Sequence, residues 1–373
     1  MNFEHTDEQA ALAESVRRFA ERSYGFEARR AIVEDPAGID ETHWATFAEL
    51  GWLGAGLSEQ SGGFGGGAVE NALIAEEFGR ALVVEPFLAT VLVLQTLDAA
   101  ADFDGRAALV ESVVMGEVRL ALAHLEADGR GDPRTIATQA LQGTSGWTLT
   151  GTKSLVLGAP SAHRLLVSAV HGDAATVGLF LVEPDAAGLA IHPYRTLDNG
   201  RVADLTLAEV PATLLAPDAI EAIEAGLDHA TITACAEAVG AMDTALWMTR
   251  DYARTRQQFG KPIGTFQAYQ HRMADMLVQL ELARSMLLCG LAALAESDLE
   301  RRRAGVSAAK LVIGDAGLFI GRQAIQLHGG IGMTEEYAVG HYYKRLFVIA
   351  HLFGNGDHHL ERFAAILNQG DER

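Results

Sequence analysis

Residues 252–276 read Tyr-Ala-Arg-Thr-Arg-Gln-Gln-Phe-Gly-Lys-Pro-Ile-Gly-Thr-Phe-Gln-Ala-Tyr-Gln-His-Arg-Met-Ala-Asp-Met. Downstream, Met273, Met276, Leu277, Leu280 and Leu287 recur at i, i+3, i+4 and i+7, the spacing of one helix face. The same patterning predicts long helices over 218–255, 263–296, 301–327 and 335–367. Four such helices with broad apolar faces predict a bundle, with faces suited to burial against other subunits. A second stretch then stands out between the last two spans: Gln326-Leu327-His328-Gly329-Gly330-Ile331-Gly332-Met333-Thr334-Glu335-Glu336-Tyr337.

Upstream the patterning changes. From about 117 to 212, the runs Trp147–Thr150, Leu165–Val170, Val177–Val182 and Val202–Leu207 are short, rich in β-branched residues and bounded by turn residues. They predict a small antiparallel β domain, with Leu149-Thr150-Gly151-Thr152-Lys153 as a hairpin corner. Before it, Thr6-Asp7-Glu8-Gln9 has the form of a capping box. Leu12, Val16 and Phe19 follow on one helix face, and helical patterning resumes over 42–50 and 68–99. The glycine-rich run 61–67 lacks dinucleotide-fingerprint spacing and reads as a connector. The expected organisation is therefore mainly α with a β insert: a helical domain over 1–116, a β domain over 117–216 and a helical bundle over 217–373.

Bulk properties narrow the function. The chain has 373 residues, 49% apolar and 21% charged, the composition of a soluble globular protein. A net charge of −20 opposes nucleic-acid binding. It also opposes an anionic thioester unless basic groups gather locally, as Arg254, Arg256, Lys261 and Arg272 do. Met1–Glu4 shows no basic start or apolar run, and no apolar stretch is expected to reach the ~18 residues of a membrane span. Cys235 and Cys289 read as two core thiols of a cytoplasmic protein.

The two quoted stretches resemble the acyl-CoA dehydrogenase family, whose members bind FAD and desaturate acyl thioesters. The order of helices, β domain and bundle matches that fold over essentially the whole chain. With Glu49-Leu50-Gly51-Trp52-Leu53 and the glycine run, the sequence is most similar to the small subunit of pimeloyl-CoA dehydrogenase and related two-subunit bacterial enzymes. The resemblance makes Arg256, Gln258 and Phe259 a turn that reaches FAD held by a neighbouring subunit. A guanidinium presents a rigid fork to pyrophosphate oxygens, and Gly260 allows a tight turn. The resemblance likewise makes Gln326, Gly329 and Gly330 a second FAD contact across a subunit interface. Gly329 also reads as a helix C-cap, and His328 as a structural residue.

The catalytic positions depart from the family. Its usual base lies in a Tyr-Glu-Gly-Thr turn, which here reads Leu352-Phe353-Gly354-Asn355-Gly356. An alternative base position falls on Ala230, beside Asp228 and His229. Neither place holds an acid, so no catalytic residue is expected; Asp228 and His229 are weak substitute candidates. Asp357, His358 and His359 read as solvated helix-end residues. Neighbours on a helix do not face one ion, so no metal site is expected. The family's flavin-facing loop and Trp-Ile-Thr strand read Leu125-Glu126-Ala127-Asp128-Gly129-Arg130-Gly131-Asp132 and Leu155-Val156-Leu157.

The resemblance implies an FAD-dependent acyl-CoA dehydrogenase-type subunit acting on a CoA thioester, with an electron-transfer flavoprotein as electron acceptor. The losses favour a base-lacking partner within a heterotetramer, bound to a homologous catalytic subunit. The alternatives are an active homotetramer with a substitute base, and a structural paralogue without flavin.

Overall fold

The computed structural model describes residues 5–129, 131–144 and 146–371. Met1–Glu4 and Arg130, read above, lie outside the described residues. In chain order, α1 (Asp7–Ser23), α2 (Phe26–Glu34), α3 (Glu41–Glu49), α4 (Ala68–Ala81), α5 (Phe87–Ala99) and α6 (Arg106–Val114) come first. Then follow β1 (Leu120–Ala123), β2 (Gln139–Gly143), β3 (Gly146–Leu157), β4 (Arg164–His171), β5 (Thr176–Val182), β6 (Leu189–Arg195) and β7 (Arg201–Ala216). The chain continues through α7 (Ile220–Thr255), β8 (Gln257–Gln258), β9 (Lys261–Pro262), α8 (Gln267–Leu294), α9 (Leu299–His328), α10 (Val339–His351) and α11 (Gly356–Asp371). Two compact units result. One holds residues 1–30, 72–83 and 231–373; the other holds 31–71 and 84–230.

In the second unit the pairings β4–β2–β3–β7–β5–β4 close on themselves, with β1 added beside β4 and β6 beside β7. The antiparallel expectation holds for β2–β3, β3–β7, β4–β5, β5–β7 and β6–β7; β1 and β2 join β4 in parallel. Leu149, Leu165, Val167, Phe180, Leu205 and Val210 fill the core. The hairpin corner is not at 149–153. That segment runs inside β3, and the turn lies between the paired Gly143 and Gly146. Gly151 instead marks a register shift, where a Cβ would meet Thr138 Oγ1 at 2.5 Å. A glycine inside a strand can mark a bulge and close backbone approach as readily as a turn.

In the first unit, Thr6 and Gln9 form the expected reciprocal cap. The α4 and α7 helices cross where Gly79 faces the Glu237 carbonyl and Gly240 faces the Glu76 carbonyl, so a Cβ at either would collide. Arg345 on α10 makes a forked pair with Glu237 on α7. The α9 helix packs against α8, α10 and α11. Three of the four expected long helices are present, but the fourth is broken into α10 and α11. Phe353 and Gly354 at the break have φ of 58° and 103°, which no helix accommodates. The predicted α8 stripe is also only partly internal. Met276 and Leu280 are fully buried, whereas Leu277 is 39% exposed.

By length and composition alone, α8 and the stretch Leu299–Met333 could each cross a membrane, which corrects the expectation that no apolar stretch is long enough. Both are bundle elements packed on one another, and apolar core helices pass the same length test. Cys235 is buried as expected; Cys289 is exposed.

Candidate functional site

Within the first unit the two quoted stretches converge. Tyr252, one turn before Arg256, stacks on His328 with centroids 4.5 Å apart and planes 25° apart. Tyr337 completes the cluster, 5.1 Å from His328 and 6.3 Å from Tyr252. His328 Nδ1 donates to the Ala324 carbonyl at 2.8 Å, and burial lowers the pKa of the imidazole below its usual value. A neutral ring thus cements the end of α9 to the end of α7. The sequence carried a signal for this triad, three aromatic or imidazole residues within the two stretches, but nothing in the spacing revealed the stack.

Beyond Tyr252 the chain makes a two-residue hairpin turn between β8 and β9, with Gln258 paired to Lys261. Phe259 and Gly260 both have positive φ, 55° and 78°, as a type I′ turn requires. Glycine adopts this freely; a phenylalanine does so at a cost of ~1 kcal/mol. The Phe259 ring is 90% exposed. Arg256 and Gln258 are also exposed, and the Arg256 side chain makes no ion pair among the described residues. Arg272 donates to Gln323 Oε1 at 3.0 Å, and Lys261 Nζ lies 4.3 Å from the Phe266 ring.

At the end of α9, Gln326, Gly329 and Gly330 are exposed. Gly329 is the C-cap, with φ 65° and its N–H bonded to the Ile325 carbonyl, so the capping reading holds. A Cβ at Gly260, Gly329 or Gly330 would meet nothing within 4 Å. The segment therefore offers an exposed guanidinium fork, an exposed amide and open backbone. That donor set fits a dinucleotide pyrophosphate, because charge-assisted forks and accessible N–H groups are what phosphate oxygens bind.

The turn 352–356, where the family's usual base was expected to fall, is built the opposite way. Lys310 on α9 is buried, and its Nζ donates to the carbonyls of Ile349 at 2.7 Å, Ala350 at 2.9 Å and Gly354 at 3.3 Å. These include carbonyls at the C-terminus of α10, which no helical N–H can reach. Burial pushes the Lys310 ammonium down to about 8. His359 is 1% exposed, not solvated as expected, and contacts Ser307 Oγ at 3.2 Å and the Phe353 carbonyl at 3.0 Å. Burial, helped by the nearby Lys310 charge, pushes it down to about 3. A side chain at Gly354 would collide with His358 and lie 3.0 Å from His359 Nε2. The junction is a tied structural plug. Asp357 is exposed and His358 half-buried. A helical lysine reads as surface in any pattern analysis, which is why Lys310 escaped notice.

In the second unit, Asp228 on α7 is 1% exposed, His229 is half-buried and Ala230 is buried. Glu126 points inward. It accepts from Lys153 Nζ at 2.7 Å, Thr138 Oγ1 at 2.7 Å and Ala137 N at 2.7 Å. Burial alone would raise the Glu126 carboxyl; Lys153 and these hydrogen bonds overcome it and hold it below the usual range. Burial takes Lys153 down to about 8. Leu155 has φ 51°, its N–H held by Asp204 Oδ1 at 2.9 Å; Tyr194 donates to the same oxygen at 2.9 Å. Among the described residues no cluster of three or more His, Cys, Asp or Glu is placed to hold a metal ion.

Comparison with known proteins agrees with this geometry. Residues 6–117 match the acyl-CoA dehydrogenase N-terminal domain, and residues 220–367 the acyl-CoA dehydrogenase C-terminal domain. Acyl-CoA dehydrogenase IpdE2 of Mycobacterium tuberculosis is 30% identical over 340 residues, 91% of each chain. Acyl-CoA dehydrogenase FadE34 of the same organism is 31% identical over 377 residues, spanning 99% of this chain but 49% of FadE34. Among solved structures, a Tcur3481-Tcur3483 steroid ACAD has a TM-score of 0.90 at 31% identity, covering 98% of this chain and 99% of the other. The ChsE4-ChsE5 complex from Mycobacterium tuberculosis has a TM-score of 0.90 at 25% identity, covering 99% of each. The chain belongs to the acyl-CoA dehydrogenase family.

Proposed function

We propose that this chain is the base-lacking subunit of a heterotetrameric, FAD-dependent acyl-CoA dehydrogenase. One observation carries the reading. Arg256, Gln326, Gly329 and Gly330 stand exposed, while the 352–356 turn, where the base was expected, is tied by Lys310 and His359.

In this reading Arg256 supplies two parallel N–H donors to pyrophosphate oxygens of FAD seated mainly in a homologous catalytic chain. Gln326 and the backbone at Gly329 and Gly330 would supply the second contact. The exposed Phe259 ring would help to keep water from the bound group. The stack of Tyr252 on His328 fixes the distance between the two contact groups, so binding does not have to order them. FAD, when bound, supplies the acceptor for the hydride leaving the thioester's β-carbon. The α-proton would go to a carboxylate of the catalytic chain, and the electrons onward to an electron-transfer flavoprotein.

Two relatives support a two-chain assembly. The ChsE4-ChsE5 neighbour is a complex of two named proteins, and FadE34 is about twice the length matched here. The test is expression of the chain alone and together with a glutamate-bearing homologue. Flavin absorbance only on coexpression is expected. A yellow lone chain that oxidises acyl-CoA would establish the homotetramer, with Asp228 or His229 as the residues to examine. No flavin in either preparation would favour the structural paralogue.

A further inference from the structure

The aromatic joint between the two contact stretches holds an unsatisfied group. His328 is 4% exposed, and its Nδ1 donates to the Ala324 carbonyl. That bond places the proton on Nδ1 and leaves Nε2 as a bare acceptor. Nε2 is buried and meets no hydrogen-bond partner among the described residues. Buried polar atoms without partners are few, and each asks for a reason.

The titratable groups that face the ring are tyrosines. Tyr252 of α7 stacks on it, and Tyr337, ahead of α10, lies 5.1 Å away. Tyr269 of α8 lies within electrostatic reach of both, and its hydroxyl donates to the Thr249 carbonyl at 3.2 Å. Burial raises Tyr269 and Tyr337 above the usual tyrosine value, so both stay uncharged where an imidazole titrates. Charged groups on the same elements are paired or exposed: Asp251 meets Arg250 at 2.8 Å, Glu335 meets Lys344 at 2.5 Å, and Arg254 and Glu336 lie in the open. Burial and the Ala324 bond bear on the imidazole, and no charged side chain among the described residues does. A second proton would go to Nε2. There it would make a buried, charged N–H with no acceptor, far costlier than a buried neutral ring. The tyrosine faces attract a cation, but burial prevails, and the imidazole sits below its usual value. The packed joint is therefore favoured in full above pH ~6.5 and weakens as pH falls below it. Release of the ring parts the two contact groups, since Tyr252 stands one turn before Arg256 and His328 directly precedes Gly329.

We propose that His328 is a positioning residue that makes the cofactor contact proton-sensitive: its neutral ring holds Arg256 and the backbone at Gly329 and Gly330 in register, and a proton on Nε2 releases them. The inference rests on the reading of these groups as a flavin contact.

His328→Phe keeps a flat ring but takes no proton, and His328→Gln is a second untitratable variant should the phenylalanine not pack. Amide exchange is followed by mass spectrometry over 248–256 and 322–330 in the lone full-length chain at pH ~7.5 and ~5, with intrinsic rates removed. Protection of both segments is expected to fall at least ~tenfold on acidification in the wild type and less than ~threefold in either variant. Flavin retention is then measured in the coexpressed complex at the same two pH values. His328→Phe is expected to hold FAD ~threefold less tightly at neutral pH, for want of the Ala324 bond, and to lose less than ~threefold more in acid, whereas the wild type loses at least ~tenfold. His359 is present in all three proteins and cancels from the comparison. The proposal is overturned if a folded variant shows the wild-type acid response in exchange, or if the complex holds flavin with the same pH profile in wild type and variant. A complex without flavin in any form removes the two-chain reading instead, and the exchange result still decides the role of His328.

Discussion

The two ends of the α9 helix face opposite demands. At its C-terminus, Gln326, Gly329 and Gly330 lie in the open beside an exposed Arg256 and an exposed, strained Phe259. Nearer its N-terminus, Ser307 and Lys310 are buried and bonded to the α10–α11 junction. In the first region the Arg256 and Gln326 side chains are exposed and make no ion pair among the described residues; in the second the carbonyls of Ile349, Ala350, Phe353 and Gly354 are taken by Lys310 and His359. Groups kept exposed at a conformational cost need a binding partner to explain them, whereas a satisfied buried network explains itself by stability. In the proposed reading, the difference separates cofactor grip from proton abstraction within one helix.

The largest expected effect is at the closed end. Lys310→Met leaves the Ile349, Ala350 and Gly354 carbonyls without their common donor. Unsatisfied buried acceptors cost ~1–3 kcal/mol each, so a loss of at least ~3 kcal/mol is expected in urea unfolding. A loss below ~1 kcal/mol would show that the plug is not held by this lysine.

Acid tests the same plug. The folded-state value of His359 lies near 3, against 6.5 for an ordinary imidazole. The unfolded chain therefore binds the proton first. Stability is full above pH ~6.5 and falls as pH drops through the window from there to the folded value. Between pH 7.5 and 5 the wild type should lose ~2 kcal/mol more than His359→Gln. Equal pH slopes in the two proteins would remove His359 from the buried network.

At the open end the effects are smaller and fall on the cofactor. Arg256→Gln should leave the unfolding midpoint of the lone chain in place, because no ion pair is broken. It should weaken flavin retention in the coexpressed complex by ~1.5 kcal/mol, roughly tenfold. A shift in lone-chain stability with no change in flavin would reverse the roles assigned to the two ends. The smallest effect belongs to Phe259→Gly, which relieves left-handed strain. It should stabilise the lone chain by up to ~1 kcal/mol while lowering flavin retention in the complex.

Much of this was legible in the sequence. The Thr6–Gln9 cap, the long α7, α8 and α9 helices and the strands around Trp147, Leu165, Val177 and Val202 each follow from local periodicity. The two site stretches were legible because turn glycines and an arginine fork leave a local signature. What stayed hidden depends on distant partners. Gly151 looked like a corner because its packing on Thr138 is set by another strand. The break of the last helix was masked because Phe353 and Gly354 take positive φ under the hold of Lys310, far away in sequence. His359 looked solvated because neither Ser307 nor the Phe353 carbonyl marks it locally. Leu277 looked internal because a helical stripe does not reveal how wide its covered face is.

The most direct measurement is the flavin stoichiometry of the purified assembly, set beside acyl-CoA turnover by each chain alone. The account predicts one FAD for each pair of unlike chains, turnover only by the assembly, and none by this chain in isolation. One FAD per copy of this chain, with turnover in the absence of any other subunit, would contradict it.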